Sequence, residues 1–203
     1  NRSPVLTSIG NQTVDEGQTL TLILSAMDPD RDVLSYSVSD IPVGASFVDS
    51  VFTWTSTSEQ AGNYTFTFTV SDGQGGSDSE TVALSVGNVN RPPVLTALGA
   101  QSVNEGNTLT LILSATDPDG DAVVFSVSGS PDGSSLSDSV FTWTPGFVQS
   151  GTHTMTFTAL DLKGGTVSET LSILVVEVNR SPVLTSIGNQ TVDEGQTLTL
   201  ILS

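Results

Sequence analysis

Thr65-Phe66-Thr67-Phe68-Thr69-Val70 alternates a small hydroxyl residue with a large apolar one over six positions. Period-two alternation puts Phe66, Phe68 and Val70 on one face and the threonines on the other, the pattern of a half-buried β-strand. Thr19-Leu20-Thr21-Leu22 repeats it ahead of Ile23 and Leu24. Threonine, valine and phenylalanine suit a pleated surface. Turn signals recur every 8 to 12 residues: Asp15-Glu-Gly, Asp28-Pro-Asp, Pro42-Val-Gly, Gln60-Ala-Gly and Asp72-Gly-Gln-Gly-Gly. Seven short strands at that spacing predict an immunoglobulin-like sandwich. They are expected near 3–14, 18–26, 33–39, 45–48, 51–54, 63–71 and 79–87. No segment carries a helical period.

The same pattern returns along the chain. Asn1-Arg-Ser-Pro-Val-Leu-Thr recurs at Asn90-Arg-Pro-Pro-Val-Leu-Thr and at Asn179-Arg-Ser-Pro-Val-Leu-Thr, a period of 89 residues. The first two copies align without a gap and share 50 of 89 positions. Residues 179–203 match 1–25 throughout, whereas the second copy differs from that stretch at seven positions. The organisation predicted is all-β: repeats at 1–89 and 90–178, then a truncated third at 179–203 holding its first two strands. The chain reads as a window on a longer tandem array. The link Gly87-Asn-Val-Asn-Arg-Pro-Pro93 is short and proline-stiffened, and should hold neighbours in line.

Composition excludes several functions. Asp and Glu number 22 against 5 Lys and Arg, a formal charge of −17. That is the wrong sign for neutralising nucleic-acid phosphates or docking on anionic lipid, and it makes cations the natural counter-charge. No apolar run is long enough to span a membrane as a helix. There is no cysteine, which removes disulfides, thiolate metal sites and cysteine catalysis. The single histidine, His153, stands where the first repeat has Tyr64, and reads as a tolerated strand residue. A Ser-His-Asp arrangement could occur once at most, so no enzyme is expected. Trp54 and Trp143 lie in the repeated Val-Phe-Thr-Trp-Thr and read as packing residues in preference to a sugar platform.

The strongest chemical signal is Asp28-Pro-Asp-Arg-Asp32, repeated as Asp117-Pro-Asp-Gly-Asp121. Carboxylates at i, i+2 and i+4 can converge on a hard cation such as Ca²⁺, which takes six to eight oxygens. The plain alternative is a polar turn, since Asp, Pro and Gly are turn residues. An EF-hand is excluded, because position 12 is Ser39 or Ser128 instead of a glutamate. In a sandwich of this topology the loops after strands two and six lie at one end. Asp28–Asp32 should therefore meet Asp72, and Asp117–Asp121 should meet Asp161. Glu16 and Glu105 belong to the opposite end, which faces the next domain, so Glu16, the linker and the loops at 117–121 and 161 are expected to meet at one domain junction.

Asn-Arg-Pro-Pro-Val-Leu, Val-Asp-Glu-Gly, Asp-Pro-Asp-Arg-Asp, Leu-Ser-Tyr-Ser-Val, Phe-Thr-Trp-Thr, Gln-Ala-Gly-Asn-Tyr and Phe-Thr-Val-Ser-Asp-Gly together resemble tandem cadherin-like repeats. The resemblance is to the dystroglycan-type cadherin-like and immunoglobulin-like modules of bacterial and archaeal surface proteins. It implies calcium between successive domains, with candidate ligands Glu16, Asp28, Asp30, Asp32, Glu59, Asp72, Asn88, Asn90, Glu105, Asp117, Asp119, Asp121, Asp161, Glu177 and Asn179. The sequence departs from the family pattern where Arg91 and Arg180 stand at an acidic linker position, and where Val148 replaces Glu59. Fewer ions are therefore expected than in vertebrate cadherins. The function implied is a calcium-stiffened extracellular spacer of a large surface adhesin or filament. Its partners would be neighbouring repeats and other copies in a filament. The alternative is a carbohydrate- or ligand-binding accessory module of a secreted protein, and homophilic adhesion is a third reading.

Overall fold

The computed structural model describes residues 1–201. They divide into two compact units. Unit 1 comprises Asn1–Pro92 with Asp117–Asp121 and Lys163–Gly165, and unit 2 comprises Pro93–Thr116, Ala122–Leu162 and the described residues from Thr166 onward.

Unit 1 holds nine strands: β1 (Val5–Leu6), β2 (Gln12–Asp15), β3 (Thr19–Ile23), β4 (Ala26–Met27), β5 (Ser35–Ser39), β6 (Ser46–Val48), β7 (Val51–Thr55), β8 (Gly62–Ser71) and β9 (Ser77–Gly87). They form a four-stranded sheet in the order β2-β9-β8-β5, a three-stranded sheet β3-β7-β6 and a short pair β1-β4. Unit 2 repeats the plan with β10 (Val94–Leu95), β11 (Gln101–Asn104), β12 (Leu109–Ile112), β13 (Ala115–Thr116), β14 (Val124–Ser128), β15 (Ser134–Ser137), β16 (Val140–Trp143), β17 (Gly151–Leu160) and β18 (Thr166–Val176). Its sheets run β11-β18-β17-β14, β12-β16-β15 and β10-β13.

The expected strand at 3–14 is two strands. β1 pairs antiparallel with β4, while β2 pairs parallel with β9, so the chain leaves one partner and joins another. The break falls at Gly10, whose φ of 71° lies in the left-handed region. The Glu80 carboxylate holds it open by accepting the N–H groups of Ile9 and Gly10, both at 2.8 Å. The expected strand at 18–26 is likewise cut between β3 and β4. There the N–H of Leu24 donates to the Ser50 carbonyl at 2.8 Å, and that of Thr7 to the Ser25 carbonyl at 2.9 Å. Both breaks exchange one hydrogen-bond partner for another.

The alternation in β8 decides the core. Phe66, Phe68 and Val70 are buried, and they meet Phe52 and Trp54 from β7 and Val82, Leu84 and Val86 from β9. The outward threonines pair across strands, as Thr67 and Thr81 do at 3.1 Å. Unit 2 builds the same core from Phe141, Trp143, Met155, Phe157, Leu171, Ile173 and Val175. Burial of each large side chain contributes about 1.5–3 kcal/mol. Residues 179–201, expected to carry two further strands, contain none. In each unit the matching stretch is ordered by ladders to later strands, β4, β7 and β9 in unit 1.

Candidate metal centre

The Asp28–Asp32 loop joins β4 to β5. Asp28 Oδ1 accepts the N–H groups of Asp30 at 2.7 Å and Asp32 at 3.2 Å, and the N–H of Arg31 closes a turn on the Asp28 carbonyl at 3.2 Å. The turn needs a left-handed residue at its fourth position. Gly120 meets that need at φ 79° in the second copy, while Arg31 adopts φ 65° in the first. So one oxygen of the first aspartate does the work of a polar turn. The other does not: Asp28 is 8% exposed, and its Oδ2 is buried with no donor. Asp117 repeats the arrangement, with Oδ1 accepting from Asp119 at 2.8 Å and Asp121 at 3.2 Å and Oδ2 buried without a donor. Among the described residues, Asp28, Asp30 and Asp32 form the group whose carboxylate oxygens lie within 4.8 Å of one another.

The loop after β8 reaches the same end of unit 1 as the Asp28 loop. Asp72 Oδ1 accepts the N–H groups of Gln74 at 2.7 Å and Gly76 at 2.9 Å, and Oδ2 accepts the Asn1 amide at 2.8 Å. The Asn1 amide foremost, with those N–H groups, holds the Asp72 carboxyl below the ordinary aspartate range although burial works the other way. Gly76 has no room for a side chain, since a Cβ there would strike Asp72 Oδ2 and come 2.9 Å from Ser3 Cα. Beside Asn1, Arg2 takes Asp30. Its N–H donates to Oδ2 at 2.7 Å, and its Nε and Nη2 donate to Oδ1 at 3.0 and 2.6 Å. That guanidinium is the main reason the Asp30 carboxyl is also held low.

Glu16 lies at the other end of unit 1, in the turn after β2. It is buried, with Oε1 accepting the Ala61 N–H at 2.8 Å and Oε2 the Val89 N–H at 3.2 Å. Glu16, Ser58, Glu59, Ala61, Asn88, Arg91, Pro118 and Asp119 line a cleft of about 220 Å³. In unit 2, Glu105 Oε2 accepts the Val178 N–H at 3.1 Å, while Oε1 is buried without a donor. Asp161 is buried, Asp121 is half-buried, and Asn90, Glu177 and Asn179 are exposed.

The residues therefore fit a hard cation in part. Buried carboxylate oxygens with no donor at Asp28, Asp117 and Glu105 are what such an ion satisfies, because an unpaired buried charge is costly. Asp30 and Asp119 are already engaged by arginine, and both oxygens of Glu16 by backbone N–H groups, which leaves fewer positions for metal. Several further partners carried no signal in the sequence. Glu80 and Glu169 each accept backbone N–H groups ahead of the second strand of their units, and Asp78 accepts that of Leu6 at 2.8 Å. Equal spacing of Glu80 and Glu169 in both copies was the one available clue.

Trp54 and Trp143 are fully enclosed, and their indole N–H groups donate to the carbonyls of Val43 and Asp132, both at 3.3 Å. Neither can serve as a binding platform. His153 stacks edge-on to Trp143 with centroids 4.9 Å apart, as Tyr64 does to Trp54 at 4.9 Å. No helix among the described residues is long and apolar enough to cross a membrane.

Comparison with known proteins agrees with this architecture. The family model described as "Putative Ig domain" matches residues 3–87, and that described as "Bacterial Ig domain" matches residues 90–174. The chain is a tandem of immunoglobulin-like, cadherin-like β-sandwich repeats. Mouse cadherin-23 EC22-24 is similar in structure at a TM-score of 0.58 and 18% identity, over 88% of this chain and 68% of that one. Protocadherin gamma B7 extracellular cadherin domains 1-4 give 0.52 and 22%, over 85% and 49%. An endo-fucoidan hydrolase from glycoside hydrolase family 107 gives 0.40 and 21%, and the chain spans 29% of its length. A search of curated proteins found no match. At these identities the likeness shows the fold alone.

Proposed function

We propose that the chain is a non-enzymatic extracellular spacer whose acidic loops take calcium, as part of a large surface adhesin or filament. The observation that carries the reading is the set of buried, donor-less carboxylate oxygens at Asp28, Asp117 and Glu105. A turn alone uses only Oδ1 of each aspartate. Oδ2 has no structural employment, and a divalent ion supplies one. Asp30 and Asp32 stand beside the Asp28 oxygen, with Asp119, Asp121, Asp72, Asp161, Glu16, Glu59, Asn88, Asn90, Glu177 and Asn179 as the remaining candidate ligands. Two units built on one plan, each with a buried tryptophan, suit length and stiffness better than recognition of a ligand.

Melting the protein with calcium and with excess chelator tests this. A ligand present at about a hundred times its Kd stabilises by about 2.7 kcal/mol. For a domain of this size that is a rise of roughly 10–20 °C. Asp28→Asn with Asp117→Asn keeps the Oδ1 turn bonds and replaces each orphan oxygen with an amide nitrogen, so it should abolish most of the response. A melting curve unchanged by chelator refutes the calcium reading.

A further inference from the structure

Three arginines stand at equivalent positions, Arg2, Arg91 and Arg180, each 89 residues after the last. The first two make the same constellation. Arg91 donates its N–H to Asp119 Oδ2 at 2.6 Å, Nε to Oδ1 at 2.8 Å and Nη2 to the Pro118 carbonyl at 2.8 Å. Arg2 does this with Asp30 and with the Pro29 carbonyl at 2.9 Å. Arg91 goes further, for its Nη2 reaches Glu59 Oε1 at 3.1 Å and its Nη1 the Ser58 hydroxyl at 3.1 Å. All of these residues belong to unit 1. In unit 2 the counterparts of Ser58 and Glu59 are Phe147 and Val148. There the Arg180 guanidinium lies 4.1 Å from the centre of the Phe147 ring. Where the turn loses its carboxylate it supplies an aromatic face, the other surface that attracts a guanidinium. The arginine is the constant and its partner is the variable.

We propose that the linker arginine is a resident cation, holding with a guanidinium the carboxylates that would otherwise recruit a metal ion. A calcium ion in the 220 Å³ cleft would need Glu59 and Asp119, and Arg91 already bridges those two at 3.1 and 2.7 Å. The Asp119 side chain is only 3% exposed, so its charge is compensated inside the protein instead of by solvent. Arginine suits the task because its planar fork meets carboxylate and carbonyl together, whereas lysine brings a point charge. The consequence is selective. Loops held by arginine stay ordered without calcium, and the response to the ion is confined to the oxygens that arginine leaves free. The inference rests on the function proposed above only in naming calcium as the ion displaced.

Calorimetric calcium titration of the 203-residue protein tests it, with Arg91→Gln and Arg91→Lys alongside the parent. Arg91→Gln keeps a donor near Pro118 and removes the charge. Removing a like unit charge about 6 Å from a divalent ion is worth about tenfold in affinity even at the dielectric constant of water. Arg91→Gln should therefore bind calcium about tenfold more tightly, or bind one ion more, while Arg91→Lys stays near the parent. Arg2→Gln serves if Arg91→Gln fails to fold. The Arg2 side chain is 67% exposed, so its loss disturbs packing little, and the same gain is expected at Asp28, Asp30 and Asp32. Superimposable isotherms for the parent and the glutamine variants overturn the inference. Calcium binding by a glutamine variant but not by the parent upholds it while refuting the function proposed above.

Discussion

Glu80→Gln is the sharpest probe of how this sandwich is held at its first strand. The carboxylate accepts two backbone N–H groups, Ile9 and Gly10, at 2.8 Å each, and a third bond from the Ser8 hydroxyl at 3.2 Å. Glutamine fills the same space, but its one carbonyl oxygen can serve one N–H and its amide then faces the other donor. A hydrogen bond to a charged group is worth about 1.5–3 kcal/mol, and Glu80 is only half-buried, so the low end applies. One lost bond and one weakened bond come to about 2 kcal/mol. At about 4–8 °C per kcal/mol for a domain of this size, the unit 1 melting transition should fall by roughly 8–16 °C. Unit 2 supplies an internal control. Among the described residues Glu169 accepts the Leu98 N–H alone, at 3.1 and 3.3 Å, and Ala97 replaces the serine. Glu169→Gln should therefore cost about half as much. The effect also has a pH signature. Bonds from Gly10 and then Ile9 hold the Glu80 carboxyl below the ordinary glutamate range. The unfolded chain then binds that proton more readily than the folded one, so acid disfavours folding. The gap between parent and variant should be full above the ordinary glutamate value and close as pH falls through the lowered folded one. Calorimetric melting of parent and both variants between pH 3 and 7 measures this. Equal shifts for the two variants, or a shift under about 2 °C for Glu80→Gln, refutes the reasoning.

His153→Tyr should leave the stability of unit 2 within about 1 kcal/mol, because Tyr64 shows that a phenol fits. His153 Nε2 lies 2.8 Å from the Gln149 carbonyl, as the Tyr64 hydroxyl lies 2.9 Å from that of Gln60. Chemical denaturation decides it, and a loss above 2 kcal/mol contradicts the equivalence. Removal of residues 183–203 should leave both melting transitions within about 1 °C, since described residues 183–201 are exposed throughout and form no strand. A drop of several degrees in scanning calorimetry would show that the segment has a docking partner.

The sequence by itself determined the local and the periodic. Alternation in Thr65–Val70 carried the strand, its face and the buried identity of Phe66 and Phe68, because a pleated strand admits only period two. The 89-residue repeat carried the architecture twice over, and Asp28-Pro-Asp marked a loop in which carboxylates crowd. Tertiary structure alone decided which carboxylates are free to act. Asp28 and Asp30 look alike in sequence, yet one has a buried oxygen with no donor and the other is clasped by Arg2, 28 residues away. Glu80 gave no sign of its role beyond recurring as Glu169, since its partners at Ile9 and Gly10 lie some 70 residues off. The strand breaks at Gly10 and Leu24 were hidden for the same reason. A strand's extent is set by which neighbour offers hydrogen bonds, and only folding brings β4, β7 and β9 alongside.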